Sequence, residues 1–327
     1  MNAEFHYYAI YFLCLRAGME TERCADIAFA SQYVDNAIVA YEVDDGRFSY
    51  RTEVTQNYIF WDEATLREIY LPFHFLPGEI EKARAERIDG AASRWTVTPD
   101  SPLAKELLVA ALRSGDDFRV GIALHSYADT WAHQHFSGRI EACNVVDPSS
   151  LLPAAGHLQA LRFPDDACGI WQDPRLRRGL SHVDNRVRFL AAARKIYRYL
   201  RTSMRRGFDE EELVSDELGA VWSHNVGDIK ARLASFAVDL GVPFYDKRYY
   251  LSRSGLSEDV SDEPAFPGYD KLSWLKAEFQ RRTGAGTGAR RAATGGRFRG
   301  SALHRWNEAA RAHRELALSL LARDGLV

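Results

Sequence analysis

Cysteine is scarce. The four residues, Cys14, Cys24, Cys143 and Cys168, form no Cys-x-x-Cys spacing, which excludes a zinc knuckle and a thioredoxin-type redox pair. Four in a chain of 327 residues are too few for a disulfide framework, so reduced thiols in a cytoplasmic protein are the expectation. No apolar run reaches the roughly 18–20 residues of a transmembrane segment. The run from Tyr7 to Leu15 is the nearest approach to a signal peptide. It follows Glu4 rather than a basic residue, carries aromatics throughout and is not followed by a small-x-small cleavage site. A surplus of positive charge is missing too. Lys and Arg number 42 against 45 Asp and Glu, a net charge of −3, so the surface as a whole is not built for duplex nucleic acid. The chain has no internal repeat, no Gly-x-Ser-x-Gly or Walker loop, no adjacent His-Asp doublet and no Glu-x-x-His pair.

What is present has the balance of a soluble globular protein, 46% apolar and 27% charged. Helical periodicity dominates. It predicts helices over Phe5–Ala17, closed by Gly18, then from about Thr21 to Asp35, and over Trp61–Tyr70. Further helices are expected over Ser101–Arg113, Phe118–Phe136, Asn185–Leu200, Glu210–Leu240, Tyr269–Arg281 and Ser301–Arg323. Residues 39–52 alternate around Asp45-Gly46 and predict a small β-hairpin. Leu71–Gly78, with two prolines and a glycine, reads as a constrained loop. Val145–Gly179, broken by Pro148, Pro153, Pro164 and Pro174, reads as mostly irregular. Thr283–Gly300, rich in Gly, Ala and Arg, is expected to be a flexible loop. Its arginines can attract an anion, although a solvated linker is the plainer reading. The helix after it has an apolar face (Leu303, Trp306, Ala310, Leu316, Leu320) that must dock, so residues 1–327 are expected to form one domain.

The chemistry concentrates in the predicted helix containing His125, Asp129 and His133. At about 100° per residue these three fan over only about 80° of the helix face. His125 and Asp129 lie about 6 Å apart along the axis, close enough to share one ion, whereas His125 and His133 lie about 12 Å apart and cannot. Such a row suits two or more metals, with Asp129 in the middle as a bridge. His135 falls nearly opposite His133 on an unbroken helix, and takes its place if the helix ends early. His6, Asp35, His74, His157 and Asp165 each have a plain structural explanation singly, but together they form a donor set typical of divalent metals. Tyr7, Tyr33, Phe73 and Trp131 are expected to pack in the core rather than stack on a ligand.

The order His6, Asp35, His74, His125-x3-Asp129-x3-His133, His157 resembles the zinc-dependent phospholipase C superfamily. That superfamily includes bacterial phospholipases C, the clostridial alpha-toxin catalytic domain, and fungal and plant single-strand-specific nucleases. Over most of its length the chain is more closely similar to an uncharacterised bacterial family of unknown function. That similarity runs through EFHYYAIYFLCLRAGM, IAFASQYVD, PFHFLPG, GIALHSYADTWAHQ and the helix Trp306–Leu320. The superfamily resemblance implies an all-α fold, a phospholipase C-like helical domain, around a cluster of metals, usually three zinc ions. Asp35, His74, His125 and Asp129 would surround one ion. Asp129 would bridge to a second held by His6, and His133 or His135 with His157 and Asp165 would hold a third. Iron or manganese is an alternative to zinc, and two ions to three. The chain departs from the superfamily pattern in three ways. The secreted enzymes use a mature N-terminal Trp as a ligand, whereas this chain starts Met1-Asn2-Ala3. The superfamily often places five residues between the Asp and the second His, which selects His135. It also has a carboxylate four residues after the later His, where this chain has Leu161.

The implied function is a cytoplasmic metal-dependent hydrolase of a phosphate ester, foremost a phosphodiester, acting through metal-activated water with Asp35 and Asp129 at the catalytic centre. A nucleotide, an oligonucleotide or a lipid headgroup would serve as substrate. The alternatives are a non-catalytic, metal-stabilised binding or scaffold protein and a non-hydrolytic multinuclear metalloenzyme.

Overall fold

The computed structural model describes residues 1–44, 49–57, 62–224, 226–246, 290–293 and 298–327. The chain opens on a π-helical turn, Glu4–Ala9, that runs directly into α1 (Ile10–Ala17). Gly18 then takes a left-handed conformation, φ +87°, and closes the helix as its sequence position predicts. α2 (Thr21–Asn36) follows and carries Asp35 at its end. β1 (Tyr41–Asp44) and β2 (Ser49–Arg51) pair antiparallel with Val43 opposite Tyr50, which is the hairpin expected at 39–52.

The next segment departs from expectation. α3 (Glu63–Thr65), a π-helical turn (Leu66–Tyr70) and α4 (Leu71–Phe73) succeed one another without a break, so helical structure continues into the stretch read as a loop. Pro72 has no N–H to give to the helical ladder. The amides of His74 and Phe75 both donate to the Tyr70 carbonyl, at 3.0 and 2.8 Å, and this widened turn delivers His74 to the interior. After α5 (Ile80–Glu86), α6 (Pro102–Ser114) begins where Ser101 caps the Ala104 amide and ends at Gly115, φ +70°.

α7 (Asp117–Ala132) starts at Asp116, whose carboxylate accepts from the Phe118 and Arg119 amides at 2.9 and 3.2 Å. It stops four residues short of the predicted Phe136. Nearly every residue from Phe118 onward is buried, because α2 and α6 cover parts of its surface and later helices cover the rest. Gly121 permits the close approach to α2: a Cβ there would fall inside contact distance of the Ile27 carbonyl oxygen and 2.6 Å from Ala30 Cβ. That approach brings the His125–Asp129 row up to Asp35.

Residues 145–179 are largely irregular, as expected, with short 3₁₀ turns at Leu158–Ala160 and Phe163–Asp165. β3 (Ile170–Gln172) and β4 (His182–Asp184) form a second antiparallel pair. α8 (Asn185–Ser203) follows. The single helix expected over 210–240 is two helices, α9 (Glu211–Ser223) and α10 (Ile229–Val238), and Asp228 caps the second through the Lys230 and Ala231 amides. The helix expected over Tyr269–Arg281 lies outside the described residues. β5 (Arg290–Ala293) joins the free edge of β1 in parallel, Tyr41 opposite Arg290, so part of the segment read as a flexible loop is sheet.

α11 (Ala302–Arg323) docks by its predicted apolar face. Trp306 Nε1 donates to the Ala30 carbonyl at 3.1 Å, and Arg314 Nη1 reaches Glu53 Oε2 at 2.6 Å. One apolar core runs from Phe5 through Tyr127 to Leu321 and draws on α1, α2, α4 and α6 to α11. A smaller cluster around Phe75, Phe136 and Trp171 lies under the irregular segment. The protein is thus mostly helical with small sheets. No helix among the described residues is long and apolar enough to cross a membrane. All four cysteines are buried free thiols.

Candidate metal centre

Five histidines and three aspartates meet where the N-terminal π-turn, α2, α4, α7 and the Leu158–Asp165 region converge. They fall into three sets whose donor atoms lie close enough to share an ion: His6, His125 and Asp129; Asp35, His74 and His125; and His133, His157 and Asp165. Asp129 lies at the centre. Its Oδ1 is 3.1 Å from His6 Nε2, while its Oδ2 is 3.3 Å from both His74 Nδ1 and His125 Nε2. The two carboxylate oxygens therefore face different sets, the geometry of a bridge. Asp165 repeats the pattern, with Oδ1 3.1 Å from His133 Nε2 and Oδ2 3.2 Å from His157 Nε2. Asp35 Oδ1 stands 3.7 Å from His125 Nε2 and 3.9 Å from His74 Nδ1.

The hydrogen bonds on the far side of the rings decide what these nitrogens can do. His133 Nδ1 donates to the His74 carbonyl at 2.7 Å, and His157 Nδ1 to the Leu161 carbonyl at 2.9 Å. A carbonyl only accepts, so the proton of each neutral ring is on Nδ1 and Nε2 is a bare lone pair. Both lone pairs face the Asp165 carboxylate, which is also an acceptor. Acceptors at 3.1–3.2 Å repel unless a proton or a metal ion lies between them, and at His133 burial is outweighed by the Asp129 and Asp165 carboxylates, which raise the pKa. His74 is held the same way by Nε2 donating to the Thr55 carbonyl at 2.8 Å. Outer partners of this kind are the usual means by which proteins orient metal-binding imidazoles. His6 and His125 have no such anchor. Their Nδ1 atoms are buried without a partner among the described residues, and their stacked rings, 3.8 Å between centroids, brace each other. The donor set therefore fits divalent ions.

The electrostatics show how concentrated the site is. Burial opposes a charge on Asp129, yet the Met1 amino group with His133, His125 and His6 holds its carboxyl well below the usual range. Burial, with His125 and the amino group adding to it, holds His6 well below its ordinary value. Burial outweighs His125 and His74 at Asp35 and pushes its carboxyl up. Exposure is graded across the cluster. The side chains of His6, His125 and Asp129 are 0–1% exposed, whereas Asp35 is 21%, Asp165 22% and His157 15% exposed. The inner end is sealed and the outer edge meets solvent.

One sequence-predicted ligand is misplaced. α7 does end early, but His135 does not replace His133. His135 takes a left-handed backbone, φ +69°, its amide donates to the Val97 carbonyl, and its Nε2 lies 3.2 Å from Glu86 Oε2. It points away from the cluster, and burial pushes its pKa down to about 3. His133, the last ring of the row, stays with Asp165. Tyr7, Tyr33, Phe73 and Trp131 are buried in the core as expected, and among the described residues Phe75 stacks most closely on a ligand ring, 4.5 Å from His133.

The chain belongs to a family of unknown function, DUF6765. The family model matches residues 1–321, which include every residue of the cluster. No curated protein and no solved structure matches the chain.

Sequence reasoning missed the main-chain participants. The Met1 amino group contacts Asp129 Oδ1 and lies 3.3 Å from Asp165 Oδ1. Burial opposes its charge, but Asp129 and Asp165 prevail and push its pKa up to about 10. The amide of Asn2 donates to the Asp165 carbonyl at 3.1 Å, tying the first residues to the loop that carries Asp165. The carbonyls of Thr55, His74 and Leu161 orient three rings. The Leu161 carbonyl that orients His157 stands on a left-handed backbone, φ +54° and ψ −130°.

Proposed function

We propose that this protein is a hydrolase of phosphate esters, foremost phosphodiesters, that works with two or three divalent ions, zinc first. The observation that carries the reading is the pair of imidazole nitrogens of His133 and His157 turned onto the Asp165 carboxylate, an arrangement that one divalent ion would satisfy at both rings. Ions held in closely spaced sets lower the pKa of bound water and offset charge on phosphoryl oxygens.

The chain's own residues hold and orient. Asp129 would be shared between the His6 set and the His74–His125 set, and Asp35 and Asp165 would face the open edge where a substrate enters. His125 Nε2 can serve only one ion, so with Asp129 shared the Asp35 set has four donors and the His6 set two. The open position a catalytic ion requires would fall at the His6 set or at the His133–His157–Asp165 set. Sealing of the inner end keeps bulk water from Asp129. The order of ligand types, which resembles the zinc-dependent phospholipase C superfamily, supports the same reading.

The test is hydrolysis by metal-replete protein of bis-p-nitrophenyl phosphate, single-stranded oligonucleotides, cyclic nucleotides and phosphatidylcholine. Activity should disappear with a chelator and return with zinc or manganese. If fully loaded protein turns over none of these, the metal-stabilised scaffold becomes the better reading.

A further inference from the structure

α10 contributes no candidate ligand, yet it inserts a buried arginine beside two segments that do. Arg232 is 2% exposed. Its Nε and Nη2 donate to the two oxygens of Glu4 at 2.8 and 3.0 Å, and its Nη1 donates to the Val226 carbonyl at 2.6 Å. Nη2 also lies 3.7 Å from Asp166 Oδ1. Glu4 opens the π-turn that carries His6, and Asp166 follows Asp165. One guanidinium thus touches the elements that bring ligands to two of the three sets.

Stability alone is a poor account of this pair. Glu4 is fully buried, and removing both charges from water costs several kcal/mol per ion before their attraction returns it. An apolar pair of similar volume is often as stable or more so. What an apolar pair lacks is direction: the two-pronged guanidinium–carboxylate contact fixes both distance and orientation. We propose that Arg232 is a positioning residue for the metal centre. It sets the His6 turn against the Asp165 loop, so that the set containing His6 and Asp129 and the set containing His133, His157 and Asp165 keep their spacing. This inference rests on the metal-centre reading above.

The decisive variant is the double replacement Glu4→Leu with Arg232→Met in the full chain. Its metal-free thermal midpoint should stay near that of the unmodified protein, because the apolar pair fills the same space. In a zinc titration against a chromophoric chelator, two ions should bind about tenfold or more weakly, and the third, at Asp35, His74 and His125, which Arg232 does not touch, should weaken least. The visible bands of the cobalt-substituted protein should shift as well. Arg232→Lys, which keeps the charge without the fork, should fall between the two. An identical titration and cobalt spectrum in the double variant and the unmodified chain would overturn the inference. If the double variant does not fold, Asp166→Asn tests the outer arm at a half-buried position. It should weaken one ion severalfold, and unchanged binding there would overturn the inference too. An unmodified chain that takes up no zinc at all would sink the metal-centre reading itself, which is a different result.

Discussion

The ring of His133 is hydrogen-bonded through Nδ1 to the backbone carbonyl of His74, 2.7 Å away. One candidate ligand is therefore oriented by the main chain of another, and the sets on either side of Asp129 are mechanically joined. Loss of a ligand at the centre should spread in both directions.

Asp129→Ala is the sharpest test of that coupling. The purified chain should hold two to three divalent ions by elemental analysis, and the variant should lose more than one equivalent because both carboxylate oxygens serve. It should also unfold at lower temperature, since nearby rings lose their shared anion. His182→Ala, at an exposed ring whose Nδ1 lies 3.1 Å from Gln172 Nε2, should change neither quantity. Equal metal content in the two variants would remove Asp129 from the centre.

His133 and His135 are separated by one residue and by opposite roles. His133→Ala should lose about one equivalent of metal. His135→Asn should retain all of it, because Asn tolerates the left-handed backbone at φ +69° and the cluster does not use the ring. Elemental analysis of both variants side by side decides the matter. A loss confined to the His135 variant would reverse the assignment.

Gly121→Ala should destabilise the protein by about 1–3 kcal/mol, measured by chemical denaturation. Alanine normally favours a helix interior over glycine by about 1 kcal/mol. The opposite sign is expected because the added methyl meets Ile27 and Ala30 of α2. Pushing α2 away would also move Asp35 from His125, so metal content should fall with stability. A stabilised variant would show that the helices do not meet there.

His313 on α11 gives a pH dependence outside the cluster. Burial holds its pKa down at about 4, although the Pro72 carbonyl, 3.0 Å from Nε2, works the other way. In the unfolded chain the value is about 6.5. The folded state therefore binds this proton less readily. The contribution of neutral His313 is fully present above about pH 6.5 and is lost as pH falls towards 4, at about 1.4 kcal/mol per unit. His313→Gln, which keeps a donor for Pro72 but cannot titrate, should lose stability less steeply between pH 7 and 5 by one proton's worth. Parallel slopes in urea denaturation would exclude His313 as a contributor.

Local signals were legible where local physics decides. Ser101-Pro102 opens α6 and Gly18 closes α1 almost to the residue, because capping and left-handed glycine act within one turn. The row His125, Asp129, His133 was visible because helical spacing is a property of neighbours in sequence. The early end of α7 was not, since a contact far along the chain sets it: Val97 exchanges backbone hydrogen bonds with His135 and Phe136. The break between α9 and α10 had a readable signal in Asp228, whose capping role the apolar periodicity on either side obscured. The π-helical turns that carry His6 and precede His74 leave no mark in composition. Nor do the carbonyls of Thr55 and Leu161 or the Met1 amine, because a main-chain group carries no residue identity.

The enclosure of α7 has a consequence for the order of events during synthesis. A growing chain that has reached Asp165 already contains every candidate ligand, but it still lacks α8 and α11, which cover the remaining surface of α7. Until those helices arrive, the buried faces of α7 stand in water and the row of ligands has no rigid support. On the metal-centre reading proposed above, the ions would find a rigid set of ligands only once α11 has docked.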